Sequence, residues 1–364
     1  MSYNYSEYEK MFIRVALTKG MTLKLFNNII EQYVDLKELF ADARKKHLKI
    51  TLPMEVESRF YKSNEEVGID KFILKMDKMG INLVTRLNPE YPMYLREIYD
   101  APNVLFVKGN IGNISDKIFS IVGTRKCTRR GYKLAEEIAC DLASAGVTVV
   151  SGMARGIDSA ANTGAINAGG VTVAVLGCGV DIVYPKENAK LYDAILENGA
   201  IISEYVPGTR PLPSNFPKRN RIISGMSVGV LVIESSEKGG SSITAKHALL
   251  QGRDVFVGQG GAFLKNAELA NILSESGCRT ITSAKQILEE YSWGYINEQS
   301  ENKNIEGLDF LQQQIYNLLL IGDANIEELS QKLSVEIDEL NTTLTIMELL
   351  GLIKRLPGLS YTIV

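Results

Sequence analysis

The sequence predicts an α/β protein: a Rossmann-like, doubly wound parallel-sheet core, preceded by a helical domain and followed by a winged-helix domain. Three observations carry this expectation. Between Lys117 and about Tyr291, short apolar runs alternate with amphipathic stretches, and runs apolar on both faces belong to a parallel sheet covered by helices. Before that stretch the apolar spacing is helical. After it, a polar segment leads into three short helical patterns and two terminal strands.

Taken in order, residues 1–100 read as a helical domain. Tyr8 to Leu17, Leu23 to Tyr33 and Val67 to Met79 carry apolar residues at three- and four-residue spacing, and strand-like alternation is scarce. Charged stretches such as Asp42–His47 read as solvated helix faces. The core is placed at 101–292. Its strands are expected at Ile118–Val122, Val147–Val150, Val171–Leu176, Ala200–Ser203, Val228–Ile233 and Val255–Val257. Helices are expected at Tyr132–Ala145, Asp158–Ala168, Glu187–Asn198, Ile243–Gln251 and Ala267–Ser276. Residues 293–307 read as a linker, since Glu298–Gly307 has almost no apolar residue. In 308–364, helices at Phe310–Leu320, Ile326–Leu333 and Glu336–Leu350 precede a hairpin around Pro357-Gly358.

Composition narrows the function. The 364 residues are 45% hydrophobic and 23% charged, with 43 acidic against 40 basic side chains, so any polyanion site must be a local patch. Two histidines, His47 and His247, and four cysteines without C-x-x-C spacing argue against zinc clusters and suggest a reducing compartment. The polar start and the absence of an apolar run near ~18 residues lead to the expectation of a cytoplasmic protein with no membrane partner.

Ligands of an open parallel sheet sit beyond the carboxyl ends of its strands. Here the first strand ends in Gly123-Thr124-Arg125, and the second in Gly152-Met153-Ala154-Arg155-Gly156. Glycine lets backbone N–H groups approach a phosphate, or it merely permits a tight turn. An arginine in each loop favours anion binding. The third strand leads to Lys186. After the fourth come Phe216, Lys218, Arg219, Asn220 and Arg221, with Pro217 in the first turn of a helix. Gly240, Ser241, Ser242 and Thr244 follow the fifth, as helix caps or as phosphate donors. Neither G-x-G-x-x-G nor G-x-x-x-x-G-K-[ST] occurs, so dinucleotide and P-loop readings are weak and no cofactor is expected. Arg125–Lys133 and Arg210–Arg221 are basic and free of acids, which suits a polymer of phosphates. Phe216, Arg125 and Arg219 are candidates for stacking on unpaired bases.

These blocks, in the order YPMYLREIYDAPNVLFVKGN, IVGTRKCTRRG, SGMARGIDSAAN, VAVLGCGVDIVYPKEN, ISEY, FPKRNRIISGMS and GGSSITAKHALLQGRDVF, resemble the DNA-processing protein A family (DprA, also called Smf) over roughly residues 90–260. The resemblance implies a Rossmann-like core that binds single-stranded DNA, forms a homodimer and loads the RecA recombinase in natural transformation. It places the family's motif positions on Gly123, Thr124, Arg125, Gly152, Arg155, Lys186, Lys218, Arg219, Asn220, Arg221, Gly240 and Ser241. Met153, Ala154, Gly156, Phe216, Ser242 and Thr244 complete the expected DNA-binding set. Asn162 stands where the family usually has histidine, and GQGGAFLKNAELANILSES replaces a usual P-G-[ST] and glycine-rich stretch. The terminal domains resemble appendages of many members.

The expected function is a non-enzymatic recombination mediator that protects single-stranded DNA. The alternative is an enzyme cleaving a glycosidic or phosphate bond of a nucleotide, with Asp158, Asp181 or Glu204 as acid or base. No catalytic or metal-binding residue is expected under the first reading. The tail carries eight acids and three bases, so contact with protein is expected of it rather than contact with DNA. Its stripe Leu340, Leu344, Met347 and Leu350 reads as domain core.

Overall fold

The structure, a computed structural model, describes residues 5–62, 66–236, 239–258, 273, 277–294, 308–321, 324–333, 335–350, 352–355 and 360–363. They fall into two compact units, Met1–Tyr295 and Ile296–Val364.

The first unit opens with α1 (Glu7–Ala16), α2 (Leu23–Gln32), α3 (Leu36–Lys45), α4 (Met54–Lys62) and α5 (Glu66–Lys78). Ser6 and Glu9 form a capping box on α1, while Thr22 and Asp35 cap α2 and α3. Phe12, Phe26, Ile29, Leu36 and Leu39 bury a local core. Ile13 of α1 and Met76 of α5 instead join Leu83, Phe106 and Ile201 against the sheet.

The sheet corrects one expectation. No strand was anticipated before residue 101, yet β1 (Asn82–Thr85) pairs antiparallel with β2 (Val104–Gly109). Three of its four residues are buried, so it shows no alternation, and it is too short to stand out beside the helical pattern before it. Between these strands lies α6 (Met93–Glu97).

The wound core follows: β3 (Ile118–Gly123), α7 (Arg129–Ser144), β4 (Thr148–Ser151), α8 (Ile157–Asn167), β5 (Thr172–Val175), α9 (Ala189–Asn198), β6 (Ala200–Ser203) and α10 (Asn215–Gly225). It continues through β7 (Gly229–Ile233), α11 (Gly240–Leu250), β8 (Asp254–Gly258), β9 (Arg279–Ile281) and α12 (Ala284–Glu290). Strand order is β1-β2-β6-β5-β4-β3-β7-β8-β9, parallel from β6 to β9 and antiparallel at the β1–β2 edge. From β3 the chain winds outward to β6, then returns to place β7 on the other side of β3. The switch point therefore lies between β3 and β7, where such sheets bind ligands.

Alternate strand residues feed two cores. Val122, Val150, Val173 and Val232 pack with Ile222, Ile223 and Ala245 of α10 and α11 on one face. Phe119, Ile121, Val149 and Leu231 pack with Ile138, Leu142 and Ala161 of α7 and α8 on the other. Each fully buried side chain of this size contributes roughly 1.5–3 kcal/mol, which fixes the strand register and with it the loops at the strand ends. The expected helix Ala267–Ser276, apart from Leu273, and most of the 293–307 linker lie outside the described residues. So does nearly all of the 258–276 departure from the family pattern.

The second unit contains α13 (Phe310–Ile321), β10 (Ala324–Asn325), α14 (Ile326–Leu333), α15 (Ile337–Leu349), β11 (Ile353–Arg355) and β12 (Ser360–Ile363), with strand order β10-β12-β11. This is the expected winged helix, with the short β10 added. Leu340, Leu344 and Met347 are buried as anticipated, but Leu350 is 60% exposed, because the helix ends there and Leu352 and Ile353 fill the core instead. No described helix is long and apolar enough to cross a membrane.

Candidate functional site

At the switch point, the loops after β3, β4, β5, β6 and β7 enclose a cleft of about 600 Å³. Its walls include Thr124, Arg125, Ala154, Phe216, Arg219, Asn220, Gly240, Ser241 and Thr244 from the expected set. Arg155, Lys186 and Lys218 are exposed but do not line it. Arg155 is moreover ion-paired with Glu187.

The glycines at the strand ends are there for space. A Cβ on Gly123 would run into the Ile233 carbonyl and Ile157, so glycine lets β3, β7 and α8 converge. Gly156 has φ +75°, and a Cβ there would meet the Thr124 carbonyl, which brings the loop after β4 onto the loop after β3. Met153, also at positive φ (52°), is fully buried and accepts a hydrogen bond from Asn188 at 2.9 Å. Gly152 leaves room for two charged groups. Arg219 Nη1 and Asp158 Oδ2 both lie 2.6 Å from where its Cβ would stand.

That geometry corrects the reading of the basic run. Arg219, expected as a phosphate contact, is only 3% exposed. Its Nη1 donates to the Gly152 carbonyl at 2.9 Å and to the Val175 carbonyl, and its Nε donates to Asn220 Oδ1 at 3.2 Å. Arg221 grips Glu204 with two hydrogen bonds of 3.0 and 2.8 Å, and its Nε lies 3.1 Å from Asp100. Asn220 is tied to the Gly240 carbonyl at 3.0 Å, joining α10 to α11. The run FPKRNR is helical, so Arg219 and Arg221 diverge, each inward to its own set of acceptors, and only Lys218 of the three cations stays exposed.

What faces the cleft is Arg125. It is exposed, its guanidinium sits 5.3 Å above the Phe216 ring, and no described carboxylate forms an ion pair with it. The Tyr184 ring packs against Phe216 with centroids 5.5 Å apart and remains 37% exposed. Tyr184 was not among the expected site residues. Its nearness to Phe216 joins positions 32 apart in sequence, which no local pattern records.

Three helix starts open onto the same space: α8 after Gly156, α10 after Ser214 and α11 after Gly239. None has a side-chain hydrogen bond capping it. Ser241 and Ser242, read as caps or donors, spend their hydroxyls on Ser235 (2.6 Å) and the Gly239 carbonyl (2.6 Å). Thr244 is buried. Backbone carbonyls already take part of these first turns: Ile157 and Ser159 of α8 donate to Thr124 and Ala154, Asn215 of α10 donates to Leu212, and Pro217 has no N–H, so the start of α11 is the one best suited to an anion. By contrast α7 is capped by Thr128, whose N–H also donates to the fully buried Glu234 at 2.7 Å. Glu234, at φ 48°, thereby anchors the basic loop Arg125–Lys133 to the end of β7.

The carboxylates once considered as acids or bases are committed to protein partners. Asp158 accepts from the Gly123 and Ala154 backbones beside Arg219, and burial pushes its carboxyl above the ordinary range. Burial works in the opposite sense on Arg219, lowering the hold on its proton. Asp181 accepts from Gly208 N at 2.8 Å, and Glu204 holds Arg221. Among the described residues no cluster of His, Cys, Asp and Glu could hold a metal. Asn162 donates to Thr172 at 2.8 Å, while its buried Oδ1 has no partner.

The family model of DNA recombination-mediator protein A matches residues 82–292, more than half of the chain. The chain belongs to this family. Its match begins at β1, the strand the sequence reading did not anticipate, and a separate model of the DprA winged helix domain matches 299–358. The DNA processing protein DprA of Streptococcus pneumoniae is 41% identical over 203 residues, which is 56% of this chain and 72% of the relative. Protein Smf of Escherichia coli is 33% identical over 298 residues, 80% of each chain. The X-ray structure of the Streptococcus pneumoniae protein superposes with TM-score 0.67 at 34% identity, covering 79% of this chain and 99% of that one. DNA processing protein A from Helicobacter pylori, described for its single-stranded DNA binding mode, superposes with TM-score 0.52 at 28% identity over 56% of this chain and 94% of that one.

Proposed function

We propose that this DprA-family chain is a recombination mediator that binds single-stranded DNA in the switch-point cleft. The observation that carries this is the convergence of the α11 start, which has no side-chain cap, with Arg125 over Phe216 at the switch point. Uncapped N–H groups and a cation take backbone phosphates, while an aromatic floor takes an unpaired base of any sequence. Lys186, Lys218 and Arg155 are exposed near the same end of the sheet and serve as outlying phosphate contacts. The Helicobacter pylori relative, described for its single-stranded DNA binding mode, supports the reading. Protection of the strand, loading of RecA, homodimerisation and a cytoplasmic setting come with the family resemblance and belong to the same proposal. The enzyme alternative loses ground because its candidate carboxylates already have protein partners.

The test is competition. Single strand and duplex of equal length, titrated at moderate salt and followed by anisotropy, should give clearly tighter binding of the single strand. Equal affinities would overturn the proposal. For recombinase loading, the chain should speed RecA filament formation on strands already coated by single-strand-binding protein, and no acceleration would remove that part.

A further inference from the structure

The switch-point cleft holds one aromatic side chain that the sequence did not single out. Tyr184, in the loop after β5, lines it together with Phe216, and the two ring centroids lie 5.5 Å apart at an interplanar angle of 37°. The rings differ in what already covers them. Phe216 has the Arg125 guanidinium 5.3 Å from its centroid and that of Arg219 5.9 Å away, and a Cβ on Gly177 would stand 3.0 Å from its Cδ1. Tyr184 is 37% exposed, and no described cation stacks on its ring. Pro211 and Pro213 line the same cleft and bring neither charge nor backbone N–H to it. An open aromatic face among uncharged rings suits a base better than a phosphate.

The loop that carries Tyr184 is fastened to its neighbour. Asn188 Nδ2 donates to the Met153 carbonyl at 2.9 Å and to Ser159 Oγ at 2.8 Å, and Glu187 is ion-paired with Arg155. These contacts tie the loop after β5 to the loop after β4 and to the first turn of α8. A ring held in place before the ligand arrives loses little conformational freedom when a base stacks on it.

We propose that Tyr184 is a second base platform: the strand that lies over Phe216 and Arg125 places an adjacent base on the Tyr184 ring. The proposal deepens the single-strand reading above and rests on it. The tilt between the rings gives the platform a selectivity of its own. Successive bases of a duplex are nearly parallel, whereas two bases lying on these rings are inclined to each other, which requires an unstacked strand. Stacking engages the face of a base and not its edges, so the platform accepts any sequence.

Two single strands of equal length test it on the full chain: oligothymidine, and a strand of abasic sites that keeps every phosphate and lacks every base. Tyr184→Leu should weaken binding of oligothymidine about tenfold, the worth of one stacked base, and leave the affinity for the abasic strand unchanged. Tyr184→Phe, which keeps the ring, should restore the binding of oligothymidine to within about twofold of wild type. Equal losses on the two strands would assign Tyr184 to the shape of the site or to a phosphate, and wild-type affinity of Tyr184→Leu for both would remove it from the site. Either result overturns the proposal. Photocrosslinking of the wild-type chain to oligothymidine carrying 5-iodo-deoxyuridine needs no variant. An adduct on Tyr184 is expected, and adducts on Phe216 with none on Tyr184 would contradict the platform while leaving the strand-end site intact. A wild-type chain with no affinity for either strand would overturn the single-strand reading itself, and the platform with it.

Discussion

Arg219→Ala separates an arginine that builds the site from one that touches the ligand. The guanidinium is 3% exposed, supplies donors to the Gly152 and Val175 carbonyls, and faces the buried Asp158. Truncation leaves two buried acceptors and a buried carboxylate without their cation. Breaking a buried charged partnership from one side costs about 3–5 kcal/mol. At roughly 2–4 °C per kcal/mol for a unit of this size, the unfolding midpoint should fall by about 10 °C. Arg125→Ala removes an exposed side chain with no described ion pair, so stability should change by less than about 0.5 kcal/mol. Its loss should appear in DNA affinity instead, at about 1–3 kcal/mol for a charge-assisted contact. Thermal unfolding and anisotropy on both variants, side by side, decide the matter. An Arg219→Ala protein as stable as wild type, with lost affinity as its sole defect, would refute the assignment of Arg219 to the scaffold.

Further outcomes follow from the same contacts. Phe216→Ala should weaken single-strand binding by about 1–3 kcal/mol through lost stacking, measured by titration, and an unchanged affinity would exclude the ring from the site. Glu234→Ala frees the Thr128 N–H and hydroxyl, and should destabilise by about 1–3 kcal/mol in denaturant unfolding. Burial pushes the folded pKa of His247 below the ordinary imidazole value, so the unfolded chain binds the proton more readily. Its stabilising contribution is present above pH 6.5 and is lost as pH falls toward the folded value. His247→Gln should therefore flatten the decline in stability just below pH 6.5, and an unaltered slope would contradict this. Removal of Ile296–Val364 should leave single-strand affinity within roughly threefold or raise it, since that unit is acidic. A tenfold loss from a folded truncation would show that it contacts DNA.

Much of the core was legible because parallel strands such as Val147–Val150 and Val228–Ile233 are apolar on both faces and set between helical patterns. The site's location followed from topology, with arginines at strand ends. β1 was missed, since four residues buried on most sides carry no period. The division of labour among the arginines was also illegible. Arg125 and Arg219 look alike in sequence, and what separates them is the bare Gly152 backbone opposite one and open solvent beside the other. Whether Ser241 and Ser242 cap a helix or meet a ligand turned on where each hydroxyl rotates, toward Ser235 and Gly239. Glu234 gave no sign of anchoring Thr128, because 106 residues separate them.

The most direct test of the central claim is the salt dependence of single-strand affinity in the wild type and in Arg125→Ala. If the cleft holds backbone phosphates, log affinity falls linearly with log salt, at about 0.7 per phosphate neutralised on a single strand. Arg125→Ala should reduce that slope by about 0.7. A salt-independent affinity, or an unchanged slope in the variant, would contradict the placement of a phosphate at Arg125.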